Sequence, residues 1–221
     1  MTKVSSPSSW PGASAWVPTS RRPSDLASAA QSCQGCDLYG PATQAVMGSG
    51  PRTARLMLVG EAPGDQEDRE GEPFVGPAGR LLDRALAEAG LDPAATYRTN
   101  AVKHFRFVER GAGKRLHKSP ARWHVAKCEP WLLAELESVR PQGVVLLGAT
   151  AGQAAYGGEF RVGEVRGKRL DWPAHWPASD DGAFAVATTH PSAVLRSRER
   201  DRDFAALVAD LRIARDLVGG M

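Results

Sequence analysis

The chain has 221 residues, 42% of them hydrophobic and 24% charged, with a formal net charge of +3. That is long enough for one sizeable core, and no apolar run reaches the roughly 18–20 residues of a membrane span, so a transmembrane protein is not expected. The cysteine count is three. An odd number, with no apolar leader segment, argues against a disulfide framework and for a metal or a reactive thiol, with the cytoplasm as the expected compartment.

In chain order, residues 1–22 are rich in Ser, Pro and Gly and are expected to form a flexible tail. Ser24 or Asp25 suits the cap of a short helix that runs into Cys33. Arg55-Leu56-Met57-Leu58-Val59 reads as a buried strand that ends in a glycine-rich turn. After Gly76-Pro77, apolar residues at Leu81, Leu82, Ala85, Leu86 and Ala89 have helical spacing and stop at Gly90. Tyr97–Val102 is a second strand, and 105–118 a basic loop with Gly111 and Gly113. Ser119-Pro120 reads as an N-cap with proline at the first helical position, opening a helix through Cys128 to about Val139. Gly143–Leu147 is a third strand, followed by a short helix near Ala149–Tyr156. Residues 157–182 read as an irregular excursion or hairpin, Ala183–Thr189 as a fourth strand and Arg202–Leu217 as the last helix.

Strands alternating with helices predict an α/β fold: a three-layer α/β/α sandwich around a central, mostly parallel four-stranded sheet, one domain over 23–218. Ligands in such folds collect at the carboxyl ends of the strands. The loops emerging there carry Glu61, Asn100 and His190, so a carboxylate, an amide and an imidazole converge on one crevice.

Charge is segregated along the chain. Arg98 to Lys127 holds nine Lys or Arg against one acid, Glu109, whereas Glu61 to Glu72 holds six acids against one base, Arg69. The pattern predicts a polyanion-facing surface beside an acidic, chemically active loop. Cys33-x-x-Cys36 and Cys128 supply three thiolates, one short of a closed zinc site or four-iron cluster, and an imidazole is an acceptable fourth ligand. His104 is the histidine that stands out; His124 and His175 lie in no motif and are expected at the surface.

These pieces resemble the uracil-DNA glycosylase superfamily, in its iron–sulfur branch known as family 4, from about Leu26 to Leu217. The anchors are Gly-Glu-Ala-Pro-Gly at 60–64, Pro-Phe-Val-Gly-Pro-Ala-Gly at 73–79, Asn100, and His190-Pro191-Ser192. The resemblance implies a base flipped into a pocket. Phe74 would stack on uracil, Asn100 would read its polar edge, and the backbone around Ala62 would complete the wall. Glu61 would stabilise the sugar cation, and His190 would donate a hydrogen bond to the leaving uracil. Lys114, Arg115 and Ser192 would hold phosphates. The ligands implied for a [4Fe-4S] cluster are Cys33, Cys36, His104 and Cys128, with zinc as the alternative.

The longer basic loop, with Lys114-Arg115-Leu116-His117, is similar to that of the X-type branch, whose loop histidine attacks the sugar and stays attached. That likeness makes His117 the nucleophile and accounts for His104, since the X-type branch has histidine where family 4 has its third cysteine ligand. Two departures are visible: position 62 is Ala where the X-type pattern has Gln, and the loop is one residue shorter before the histidine. The main expectation is therefore uracil excision followed by covalent capture through His117. The alternatives are a hydrolytic family 4 glycosylase in which Glu61 positions water, and a metal-stapled DNA-binding module without catalysis. The expected partner is uracil-containing DNA, single-stranded or with the base flipped out. A monomer associated with the bacterial nucleoid is expected.

Overall fold

A computed structural model describes residues 9–111, 113–179 and 182–219. Its centre is a five-stranded sheet in the order β2-β1-β5-β7-β6. The strands are β1 (Leu56–Gly60), β2 (Tyr97–Asn100), β5 (Gly143–Leu147), β6 (Arg169–Asp171) and β7 (Phe184–Thr188), and a separate hairpin pairs β3 (Phe107–Arg110) with β4 (Lys114–His117). The helices are α1 (Pro23–Ala30), α2 (Asp65–Glu70), α3 (Pro77–Ala89), α4 (Arg122–Val139), α5 (Ala149–Tyr156), α6 (Val162–Val165), α7 (Pro191–Arg196) and α8 (Arg200–Leu217). Among the described residues no helix is long and apolar enough to cross a membrane.

Strands β1, β5 and β7 are buried at every position, which is why they read as continuous apolar runs. Alternate residues feed opposite cores. Leu56, Leu58, Val145, Leu147, Phe184 and Val186 pack with α3 and α8 on one face. Met57, Val59, Val144, Leu146, Ala185 and Ala187 pack with α4 and α5 on the other. Those two cores and the sheet between them form the three expected layers.

The expected sheet of four strands gains a fifth. Strand β6 pairs antiparallel with β7, Leu170 opposite Ala185, inside the segment read as irregular. It has three residues, two of them exposed, so it carries no alternation long enough to detect. The basic loop is likewise a hairpin, in the register Phe107 to His117 and Arg110 to Lys114, with Gly111 and Gly113 at positive φ in its turn. Helix α4 starts later than Ser119-Pro120 predicts. Its N-cap is Ala121, whose N–H donates to His124 Nδ1 at 2.8 Å.

Of the tail expected over 1–22, residues 1–8 lie outside the described residues. Residues 9–22 include a short 3-10 turn, Ala13–Ala15, in which Ala13 is buried and joins the cluster around the cysteines, and Gly12 N–H donates to the Gly35 carbonyl at 3.0 Å.

Candidate active site at the strand switch point

β1 is flanked by β2 on one side and β5 on the other, and the chain reverses direction of travel across the sheet between them. This is the switch point at which open α/β sheets leave a crevice. A cavity of about 830 Å³ opens there, and Glu61, Ala62, Phe74, Asn100, His117, His190 and Ser192 all line it.

Asn100 is buried at the end of β2, opposite Gly60, and its side-chain amide makes no hydrogen bond among the described residues. A Cβ on Gly60 would meet Asn100 Oδ1 at 2.4 Å and Phe74 Cζ at 2.7 Å, so the missing side chain lets the amide and the ring converge. Phe74 is held at φ 61, a left-handed conformation rare outside glycine. Its carbonyl lies so close to helix α3 that a Cβ on Gly79 would come within 1.6 Å of it. Glu67 ties the two loops together, accepting from Gly64 N–H at 3.1 Å and Gly76 N–H at 3.0 Å.

The Glu61 carboxylate has a partner on each side. The Thr150 hydroxyl, from the first turn of α5, donates to Oε2, and His117 Nε2 lies 3.7 Å from Oε1. Burial lowers the His117 pKa, against an opposing pull from the Glu61 carboxylate. His190 caps α7. Ser192 N–H donates to its Nδ1 at 3.1 Å, and Ser192 Oγ lies 2.8 Å from the same nitrogen. Since a backbone N–H can only donate, Nδ1 accepts, and the ring proton of neutral His190 sits on Nε2. Burial brings its pKa down to about 4.

Two of the residues expected to hold phosphate are engaged otherwise. Arg115 is 11% exposed, its Nε 2.5 Å from Asp65 Oδ1 and its Nη1 2.6 Å from Asp68 Oδ2. Its guanidinium carbon lies 5.3 and 5.0 Å from the Phe105 and Phe107 ring centres. Arg115 is therefore a clamp from the hairpin to α2, and the basic and acidic segments are joined through it. Ser192 supports His190. Lys114 is exposed on β4, as a phosphate contact requires. The sequence reading missed Thr150, Glu67, Asp65 and Asp68. Glu67 had a signal in its place three residues after the Gly64 N-cap.

Cys33, Cys36 and Cys128 are buried and share one cluster with Val102, Trp131 and Ala30. Sulfur atoms of two of them face N–H groups: Trp131 Nε1 donates to Cys33 Sγ at 3.4 Å and Lys103 N to Cys128 Sγ at 3.2 Å. His104 is buried next to Lys103. No group of three or more His, Cys, Asp or Glu among the described residues is gathered closely enough for a single metal ion. His124, expected at the surface, is 2% exposed, with Nε2 2.9 Å from Asp37 Oδ1, so it joins α4 to the cysteine turn. His175 is half-exposed beside Glu129, as expected.

Fold and site together define a three-layer α/β protein with a polar crevice at the strand ends, closed on one side by a basic hairpin. Residues 47–212 match the family described as the uracil DNA glycosylase superfamily. The chain belongs to that superfamily. It is 35% identical over 170 residues to a type-4 uracil-DNA glycosylase of Thermotoga maritima, covering 76% of this chain and 81% of the relative. It is 36% identical over 175 residues to a type-4 uracil-DNA glycosylase of Archaeoglobus fulgidus, covering 77% and 82%.

Proposed function

We propose that the protein excises uracil from DNA by hydrolysis, as the type-4 name of its relatives suggests. The observation that carries this reading is Glu61, flanked by Thr150 and His117 over a cavity that also holds Phe74, Asn100 and His190. In this reading an extruded uracil lies against Phe74 and pairs its polar edge with the Asn100 amide. The glycosidic bond breaks with its electron pair passing to uracil. His190 Nε2–H donates to the uracil oxygen that gathers that charge, while Glu61 faces the cationic sugar and orients water towards it.

Covalent capture is the second reading, and one distance favours it: His117 Nε2 stands 3.7 Å from the carboxylate that would face the sugar. In that path the Nε2 lone pair forms the bond to the anomeric carbon, and the imidazole then loses its Nδ1 proton to solvent. The type-4 relatives favour water.

The cluster belongs to the same proposal. Cys33, Cys36, His104 and Cys128 would hold four irons, which space their ligands more widely than one ion does. The buried sulfurs and the N–H groups directed at them support this donor set. When bound, the cluster would supply a staple between the cysteine turn, the segment after β2 and α4.

A denaturing gel of end-labelled uracil-containing single strands tests the function. Free abasic product from wild type, lost in Glu61→Gln, is expected. A heat-stable protein–DNA band absent from His117→Gly would instead establish capture, and no reaction with either would leave only DNA binding.

A further inference from the structure

Behind the base-reading Asn100 lies a polar knot in an otherwise apolar interior. Lys103 and Glu135 are both fully buried, with Nζ 2.6 Å from Oε2. Every ammonium N–H has a partner: Thr99 Oγ1 at 2.7 Å, the Asn100 carbonyl at 2.7 Å and Glu135. Glu135 also accepts from Gly48 N–H at 2.6 Å, the Thr99 hydroxyl at 2.8 Å and the Tyr97 hydroxyl at 3.3 Å. Neither residue lines the cavity.

Stability alone does not account for such a pair. Replacing a buried ion pair with neutral groups is often neutral or stabilising, because the desolvation of two charges offsets their attraction. What this pair does locally is hold one main-chain oxygen, that of Asn100, at the point where β2 ends and the chain turns. Among the described residues no main-chain N–H of a turn or loop bonds that oxygen.

We infer that Lys103 and Glu135 are a positioning pair for uracil recognition: they fix the Asn100 carbonyl and thereby the angle at which the Asn100 amide meets the pyrimidine edge. The inference rests on the uracil-excision reading above. The pair touches no ligand and acts through Asn100 alone.

Three variants separate positioning from stability. Lys103→Met leaves a buried carboxylate unpaired and is expected to lower both the melting midpoint and kcat/KM on uracil DNA. The double variant Lys103→Met/Glu135→Gln removes both charges and keeps an acceptor for Gly48. Its midpoint is expected to return towards wild type, while kcat/KM stays roughly tenfold to a hundredfold down, the loss that a small misplacement brings. Its affinity for DNA without uracil is expected to be unchanged. Recovery of kcat/KM along with the midpoint would overturn the inference. Glu135→Gln alone, which preserves shape, gives an independent reading, and an unchanged kcat/KM there would overturn it too. A crystal structure of the double variant should show the Asn100 amide displaced; one superimposing on wild type would sink the idea even if wild type excises no uracil, a result that by itself defeats only the functional reading.

Discussion

Glu61 has a hydroxyl on one carboxylate oxygen and an imidazole near the other, and each neighbour makes a separable demand. Thr150 fixes the rotation of the carboxylate. Thr150→Val is expected to lower kcat by about tenfold with little change in KM, and Thr150→Ser to restore it, because only the hydroxyl is needed. Loss in Thr150→Ser with none in Thr150→Val would mean that the methyl group, hence packing, is what matters. His190 makes a pH prediction. Its folded-state pKa of about 4 lies below the ordinary 6.5, so between those values the unfolded chain binds a proton that the folded chain refuses. Stability is therefore complete above pH 6.5 and falls as the pH drops towards 4. The urea midpoint should decline across that window, and His190→Asn should flatten part of the decline; an unaltered slope in that variant would show that other groups carry it.

The β3–β4 hairpin holds His117 through Arg115. The two residues are two apart on one strand, so they share a face, and that face meets α2 and Phe105. Arg115→Ala leaves Asp68 buried with, among the described residues, only the Thr43 N–H on its carboxylate, and is expected to cost roughly 3–5 kcal/mol. Lys114→Ala should leave the midpoint alone and reduce the salt dependence of DNA binding by about one unit in log–log slope. If the two variants exchanged phenotypes, the division of labour between clamp and phosphate contact would be wrong. This hairpin also shows where sequence stops being legible. Strands β1, β5 and β7 announce themselves because burial on both faces demands unbroken apolar runs, and α3 because Pro77 and Gly90 bracket a clear stripe. In β3 and β4 half of the residues are charged and only Gly-x-Gly marks the turn, so the segment reads as a loop. Arg115 reads as a phosphate ligand for the same reason: charge is visible in a sequence, but a separation of fifty positions between Arg115 and Asp65 conceals that the two meet. Thr150 was hidden more completely, since one hydroxyl after a strand end has no pattern of its own.

At the scale of the molecule, the cysteine cluster and the crevice share a wall. Ala62, next to Glu61, packs against the cluster that contains Cys33, Cys36 and Cys128. Anaerobically purified protein is expected to be brown and to contain iron. Cys128→Ser should lose the colour together with several degrees of melting midpoint, whereas His104→Cys should keep both, because thiolate replaces imidazole as a ligand. Colourless protein with stoichiometric zinc would refute the iron assignment. The central claim is uracil excision that releases the enzyme for another round, and the most direct test counts product. Wild-type protein is incubated with a tenfold excess of labelled uracil-containing single strand, and alkali-labile abasic sites are measured per protein molecule. The account predicts several abasic sites per molecule, no thymine-strand product and none from Glu61→Gln. A yield that stops at one site per molecule, with that DNA held in a heat-stable complex through His117, would contradict it.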